Sequence, residues 1–305
     1  MTVRSIRSRA TNREEVFTPE TLEALFEAVE MDDVVDPVVS LPDPIPVDCT
    51  EAEMRRCLSL CVEFWRAGTD RGAMRDLAGT LVLTGDLPQD ARVRYKHIRA
   101  RYKQLRFALV LYGRRHKAPL LFRSTVAVMG HLQDSFRNRR RLAVLGYGMA
   151  LRLMMARPVW MAVLWELRRV RLDDADGFLA FRRREFARLG RALAGGPVTG
   201  HAFHVMRKIV SRQVSYYDTR RTLEPEENLY RMSRFLSAIN GLMGSMHDDL
   251  VEQAGAGHRD YHRDRFPLPE DIGCRLEALT AACLGESRTG AVIAARGMPS
   301  LEPAE

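Results

Sequence analysis

One short pattern occurs twice in this chain, and it limits the possible folds more than any other feature. Residues 127–139 read AVMGHLQDSFRNR and residues 240–253 read NGLMGSMHDDLVEQ. Each holds Met-Gly, an apolar residue two positions after the glycine and an aspartate four positions after it: Gly130 with Asp134, Gly244 with Asp248. Each follows a stretch bearing basic and apolar residues, Lys96-His97-Ile98-Arg99 in one case and His204-Val205-Met206-Arg207 in the other. From Arg99 to Gly130 is 31 residues, and from Arg207 to Gly244 is 37. The same order at similar spacing marks an internal repeat of helical units.

The rest of the chain agrees with helices. Thr18-Pro19-Glu20 supplies an N-cap, a first-turn proline and an acidic first turn, which predicts a helix through about Val29. Thr50 with Glu53 has the spacing of a capping box and opens a helix ending near Gly68. Further helices are predicted over about 90–117, from Pro119 to about Arg140, over 142–156, over 159–193 with a break around 173–177, over 201–221, 225–251 and 268–284. Strand signals are scarce. The fold class is therefore all-α. The expected units are an N-terminal helix with an acidic linker (1–49), a first repeat (50–157), a second repeat (158–285) and a disordered tail (286–305). The linker, residues 30–49, holds four prolines and six acids and reads as extended.

Charge is distributed unevenly. The formal charge is +8, but residues 92–234 hold 32 basic and 10 acidic residues, a net of +22, against −14 for the remainder. All but four of the 47 basic residues are arginine, whose flat fork of donors suits phosphate oxygens. A folded segment with that excess repels itself unless anions sit on it.

The cations line up. Arg92, Lys96, Arg99, Lys103 and Arg106 step by 4, 3, 4 and 3, which puts all five on one helix face. Ile98, Tyr102, Leu105, Leu109 and Tyr112 follow the same rhythm on another face and form the expected core seam. No acid occurs between Asp90 and Asp134, whereas a solvated helix surface usually intersperses both signs. A second, shorter stripe runs through His201, His204, Arg207, Lys208, Ser211 and Arg212, with Arg220 and Arg221 beyond it. Clusters at Arg137–Arg141, Arg168–Arg171 and Arg182–Arg184 read mainly as solvated.

These stretches resemble the CHAD family, the conserved histidine α-helical domain, over roughly residues 50 to 285. The family pattern His-x-x-Arg-x-x-x-[Arg/Lys]-x-x-Arg, followed later by Leu-Gly-x-x-x-Asp, is similar to Lys96-x-x-Arg99-x-x-x-Lys103-x-x-Arg106 with Met129-Gly130 to Asp134. It is similar again to His204-x-x-Arg207-Lys208-x-x-x-Arg212 with Met243-Gly244 to Asp248. Lys96 stands where the family has histidine, and Ser211 and Val214 stand at expected basic positions. The resemblance implies two four-helix-bundle repeats packed together around a basic groove, with non-catalytic binding of inorganic polyphosphate in the channel between them. The expected binding residues are Arg92, from the stripe, with Lys96, Arg99, Lys103, Arg106, His204, Arg207, Lys208 and Arg212, which match the family pattern.

Other classes fare worse. The five cysteines lack CxxC spacing and suit a reducing cytoplasm better than a disulfide frame or zinc site. Residues 1–15 have no apolar core, so a secretory signal is not expected. The most apolar stretch, Leu142–Trp165, is interrupted by Arg152, Arg157 and Pro158 and cannot cross a bilayer unbroken. No membrane partner, metal or cofactor is expected, and polyphosphate granules join the cytoplasm as an expected location. Tyr95, Tyr102, Phe107 and Tyr112 fall on the apolar side of their helix, whereas single-strand binders interleave rings with cations. Nucleic-acid backbone binding is the alternative, and a helical enzyme acting on a phosphorylated substrate ranks third. No catalytic residue is assigned, because Ser-His-Asp, HExxH and phosphate-loop patterns are missing. The paired aspartates after His247 lack the second acidic motif that isoprenoid synthases carry. The linker acids Glu30, Asp32, Asp33, Asp36, Asp43 and Asp48 are candidate competitors for the basic face, so removing residues 1–49 is expected to tighten polyanion binding.

Overall fold

A computed structural model describes residues 17–285 and 292–294. Among them are eleven helices and four short strands: α1 (Pro19–Glu30), β1 (Val38–Ser40), α2 (Glu51–Ala67), α3 (Arg71–Thr84), α4 (Gln89–Tyr112), α5 (Leu120–Arg137), α6 (Arg141–Met154), α7 (Arg157–Arg168), α8 (Ala175–Ala194), β2 (Val198–Thr199), α9 (Gly200–Leu223), α10 (Glu227–Gly255), β3 (Arg265–Phe266), α11 (Glu270–Leu284) and β4 (Val292–Ala294). The fold is all-α.

Local chemistry sets most helix starts. Thr18 accepts the Thr21 N–H and Pro19 occupies the first turn of α1. Thr50 and Glu53 form a complete capping box on α2, leaving fewer orphan N–H groups at that end. Helix α3 was not foreseen in the sequence, since Gly72 and Gly79 lower its helical propensity. Asp70 caps it, and Gly85 ends it in the left-handed conformation at φ 83°. Gly79 also leaves room on α3 for the guanidinium of Arg152 from α6. Helix α4 stops at Tyr112 rather than near 117, because the chain turns to pair with 171–173: Arg114 N–H donates to Arg171 O at 2.9 Å and Asp173 N–H to Tyr112 O at 2.9 Å.

The core is continuous through both halves. Trp65, Tyr102 and Phe122 meet in one aromatic knot, and Tyr112 stacks on Phe178 at 5.7 Å with Tyr216 beside them. All six rings are buried, so α2, α4 and α5 share one interior with α8 and α9. The core seam read from the sequence, Ile98, Tyr102, Leu105, Leu109 and Tyr112, is buried. A smaller cluster of Phe17, Leu25, Val29, Leu60 and Phe64 docks α1 onto α2.

Helix α7, which the sequence division places in the second repeat, packs on α5 and α6, and its Glu166 accepts the backbone N–H groups of Leu121 at 2.9 Å and Phe122 at 3.4 Å. That carboxylate caps a helix whose own N-cap, Pro119, offers no side-chain acceptor.

The acidic linker is built into the fold as a strap. Val39 and Cys49 are buried. Arg182 Nη1 donates to Val47 O at 2.7 Å, Tyr217 OH to Pro46 O at 3.2 Å and Arg220 Nη1 to Asp48 O at 3.1 Å. Strand β1 pairs antiparallel with β4, Val39 opposite Ile293. The tail expected to be disordered otherwise lies outside the described residues.

Candidate functional site

Two long helices carry the site. Helix α4 meets α9 from the other half directly: Gln104 Nε2 donates to Ser215 O at 3.2 Å and to Thr219 Oγ1 at 2.9 Å, both buried contacts. This places the cationic faces of α4 and α9 beside one another.

The repeated Met-Gly pattern has one geometric role in both halves. The Arg99 guanidinium lies over Gly130, with Nη2 3.4 Å from where a side chain would begin, and Arg207 Nη2 lies 3.0 Å from the same point on Gly244. An arginine of the cationic helix in each half thus rests against a helix that presents no Cβ there. Tyr95 OH donates to Met129 O at 2.9 Å and fixes α4 to α5 at the same level.

Five of the nine predicted binding residues converge: Arg99, Arg106, Arg207, Lys208 and Arg212. Burial holds the pKa of Arg106 below its ordinary value, and Arg212, Arg123 and Arg99 push it the same way. Burial likewise lowers that of Lys208, with Arg106 and Arg212 adding to it. Arg207 is lowered first by burial; Asp248, Asp32 and Asp33 oppose this and Arg99 adds to it. Cations from α4, α5 and α9 therefore act on one another across the seam. Among the described residues, no carboxylate forms an ion pair with Arg99, Arg106, Arg207 or Lys208. Arg212 differs, since it is paired with the largely buried Glu185 of α8.

The other four predicted residues are placed differently. Arg92 pairs with Asp86 and donates from Nε to Leu87 O at 3.0 Å, so it staples the turn before α4. Lys96 Nζ lies 3.8 Å from Glu30, which also sits 3.6 Å from His97 Nε2. Lys103 Nζ lies 3.0 Å from Asp32. His204 stacks on His247 of α10 at 4.7 Å, and His247 Nε2 lies 3.1 Å from Tyr261 OH. Burial, then Lys208, His247, Arg207 and His201, bring the pKa of His204 down to about 4. Its ring is neutral at pH 7.

Arg182, in a cluster read mainly as solvated, is structural, and so are Arg220 and Arg221 beyond the second stripe. Arg182 is buried, donating to Gln213 Oε1 and Tyr217 OH, both at 3.0 Å, as well as to Val47 O. Arg220 is buried between Glu53 and Glu224, and Arg221 bonds Asp218. A guanidinium that already satisfies buried acceptors is not available to a ligand.

Two participants were missed in the sequence. Arg123 lies seven residues before Gly130, two turns along the same face of α5. His247 lies three residues after Gly244 on α10 and stacks on His204. Asp32 was named in the sequence only as one of six linker acids. Its carbonyl accepts from Asn240 Nδ2 at 2.7 Å, and Asn240 Oδ1 accepts from Ser211 Oγ at 2.7 Å. Ser211, at an expected basic position, thus anchors the strap. Gly241 completes the anchor, because any Cβ there would strike the Asp33 carbonyl. The strap thereby holds a carboxylate at the edge of the seam, between Lys103 of α4 and Arg207 of α9.

Among the described residues, no group of three or more His, Cys, Asp or Glu side chains could hold a metal ion. No protein-family model, curated protein or solved structure matches the chain.

Proposed function

We propose that this protein binds an extended polyanion without transforming it, and that inorganic polyphosphate is the preferred ligand. The observation that carries the reading is the convergence on one seam of Arg99, Arg106, Arg123, Arg207 and Lys208, from three helices, with no carboxylate paired to four of them. Like charges so placed oppose folding, and an anion laid along the seam would relieve that cost. The CHAD resemblance points the same way. The choice of polyphosphate over a single-stranded nucleic acid rests on the rings: Tyr95, Tyr102, Phe107 and Tyr112 are buried and offer no face for a base to stack on.

The test is a triple charge reversal, Arg99→Glu with Arg106→Glu and Arg207→Glu, titrated with long-chain polyphosphate. Lys103 is left out because Asp32 already neutralises it. Binding should fall at least about a hundredfold at low salt while far-ultraviolet dichroism stays helical. Unchanged binding by a folded triple variant would place the ligand elsewhere.

A further inference from the structure

We propose that the α6–α7 corner is a second interaction surface, one that seats on an anionic lipid bilayer without crossing it. Leu142, Leu145, Met149 and Leu153 step by 3, 4 and 4 along α6 and share one face. They are 86%, 46%, 53% and 67% exposed. Met161 and Trp165, one turn apart on α7, are 52% and 54% exposed. The opposite face of α6 is its packing face: Val144, Gly148 and Leu151 are buried, and Gly148 lies against Val82 and the backbone of Ala78 on α3. The apolar ridge therefore points away from the protein.

Charge selects the occupant. Residues 135–165 hold six arginines and no acid, and Arg139, Arg140, Arg141 and Arg157 among them are exposed. Arg169 lies over the Trp165 ring at 3.7 Å. A second copy of this chain seated on the ridge by a two-fold axis would set arginine against arginine. An anionic bilayer meets both the apolar ridge and its cationic rim. Shape agrees, since the feature is a convex ridge rather than a groove for a peptide. An exposed tryptophan beside arginines suits the headgroup level.

Lying at the surface also fits the geometry. No single helix among the described residues is long and apolar enough to cross a membrane. The α6–α7 pair has the length and composition for a broken span, but is bent by 68°. With half of α6 fixed against α3 and α5, only the outer ridge is free to enter lipid. The proposal of peripheral contact departs from the expectation of no membrane partner and asks no helix to cross the bilayer.

The experiment is co-flotation of the full chain with vesicles of phosphatidylcholine containing about 30% phosphatidylglycerol, against pure phosphatidylcholine. Vesicle binding should require the anionic lipid. Leu145→Glu with Met149→Glu, and separately Trp165→Glu, should each weaken it by at least about tenfold. Both sites are exposed, so folding should survive, and polyphosphate binding should be unchanged. The triple reversal at Arg99, Arg106 and Arg207 should keep most of the vesicle binding, which separates this surface from the seam. Retained flotation of both ridge variants would overturn the proposal, as would equal binding to neutral vesicles. So would a wild-type dimer that the ridge variants convert to monomers without any lipid binding. Absence of flotation by wild type would also overturn it, leaving an acidic protein as the occupant to seek.

Discussion

Asp218 shows how far a single residue can depart from its ordinary chemistry. Its carboxyl is fully buried on α9 and accepts from Ser233 Oγ at 2.6 Å and Arg221 Nε at 3.2 Å. Burial raises its pKa to about 6 despite the opposing pull of Arg221. The native state therefore holds this proton more tightly than the unfolded chain does, and stability falls as pH rises from about 4 through about 6. Asp218→Asn should remove that slope and stabilise the protein at pH 7.5 by about 1–3 kcal/mol. Urea midpoints of both proteins at pH 5 and 7.5 check this, and the two curves should converge at the lower pH. His204 has the opposite sign. Its lowered pKa means a proton must be taken up before it can face phosphate as a cation. Polyphosphate binding should strengthen as pH falls from about 7 toward 5, and His204→Gln should flatten that dependence. Charges facing it from each side are Arg207, Lys208 and His201 on α9, with His247 and Asp248 on α10 and Tyr261 in the following loop. Calorimetry in buffers of different ionisation enthalpy would count the protons.

At the scale of elements, the strap is where the sequence reading and the structure part most usefully. Four prolines and six acids were read as an extended linker, and removal of residues 1–49 was expected to tighten binding. The structure ties residues 46–48 to buried Arg182, Tyr216, Tyr217 and Arg220, so removal would strand those groups. Arg182→Met should cost about 3 kcal/mol, read as a lowered denaturant midpoint. The competitor idea is better tested by point changes. Asp32→Asn should tighten polyphosphate binding about threefold to tenfold, because it frees Lys103 and lifts a nearby negative charge from Arg207. Gly241→Ala should act the same way through the backbone, pushing the Asp33 segment off α10, with a loss of stability as well. Titration at two salt concentrations checks both, and the gain should shrink at high salt. Helix starts were legible because capping is local: Thr18, Thr50 and the Pro119 break needed no tertiary information. Helix α3 was not, since Gly72 and Gly79 weaken a helix whose support comes from α6. Arg92 shows the same limit. Its spacing put it on the stripe correctly, but Asp86 in the preceding turn decided where its charge went.

For the whole molecule, the charge asymmetry found in the sequence becomes a spatial arrangement. The cations of α4 and α9, 108 residues apart between Arg99 and Arg207, share one seam because Gln104 and a common aromatic core hold the two halves together. That juxtaposition could not be read from either stripe alone, since periodicity fixes a face but not what it faces. The paired Met-Gly pattern was legible in the sequence, and each glycine does the same job, giving an arginine room against the neighbouring helix. The arginines that turned out to be structural were not, because burial of a guanidinium depends on carbonyls supplied from far along the chain. The central claim is that the seam takes a polyanion by its phosphates alone. The direct measurement is competition among long-chain polyphosphate, single-stranded RNA and duplex DNA at equal phosphate concentration, repeated across salt. Polyphosphate should win, with log affinity falling against log salt at a slope of about −3.5 if five phosphates are neutralised at about 0.7 each. Displacement of polyphosphate by duplex DNA, or affinity insensitive to salt, would contradict it.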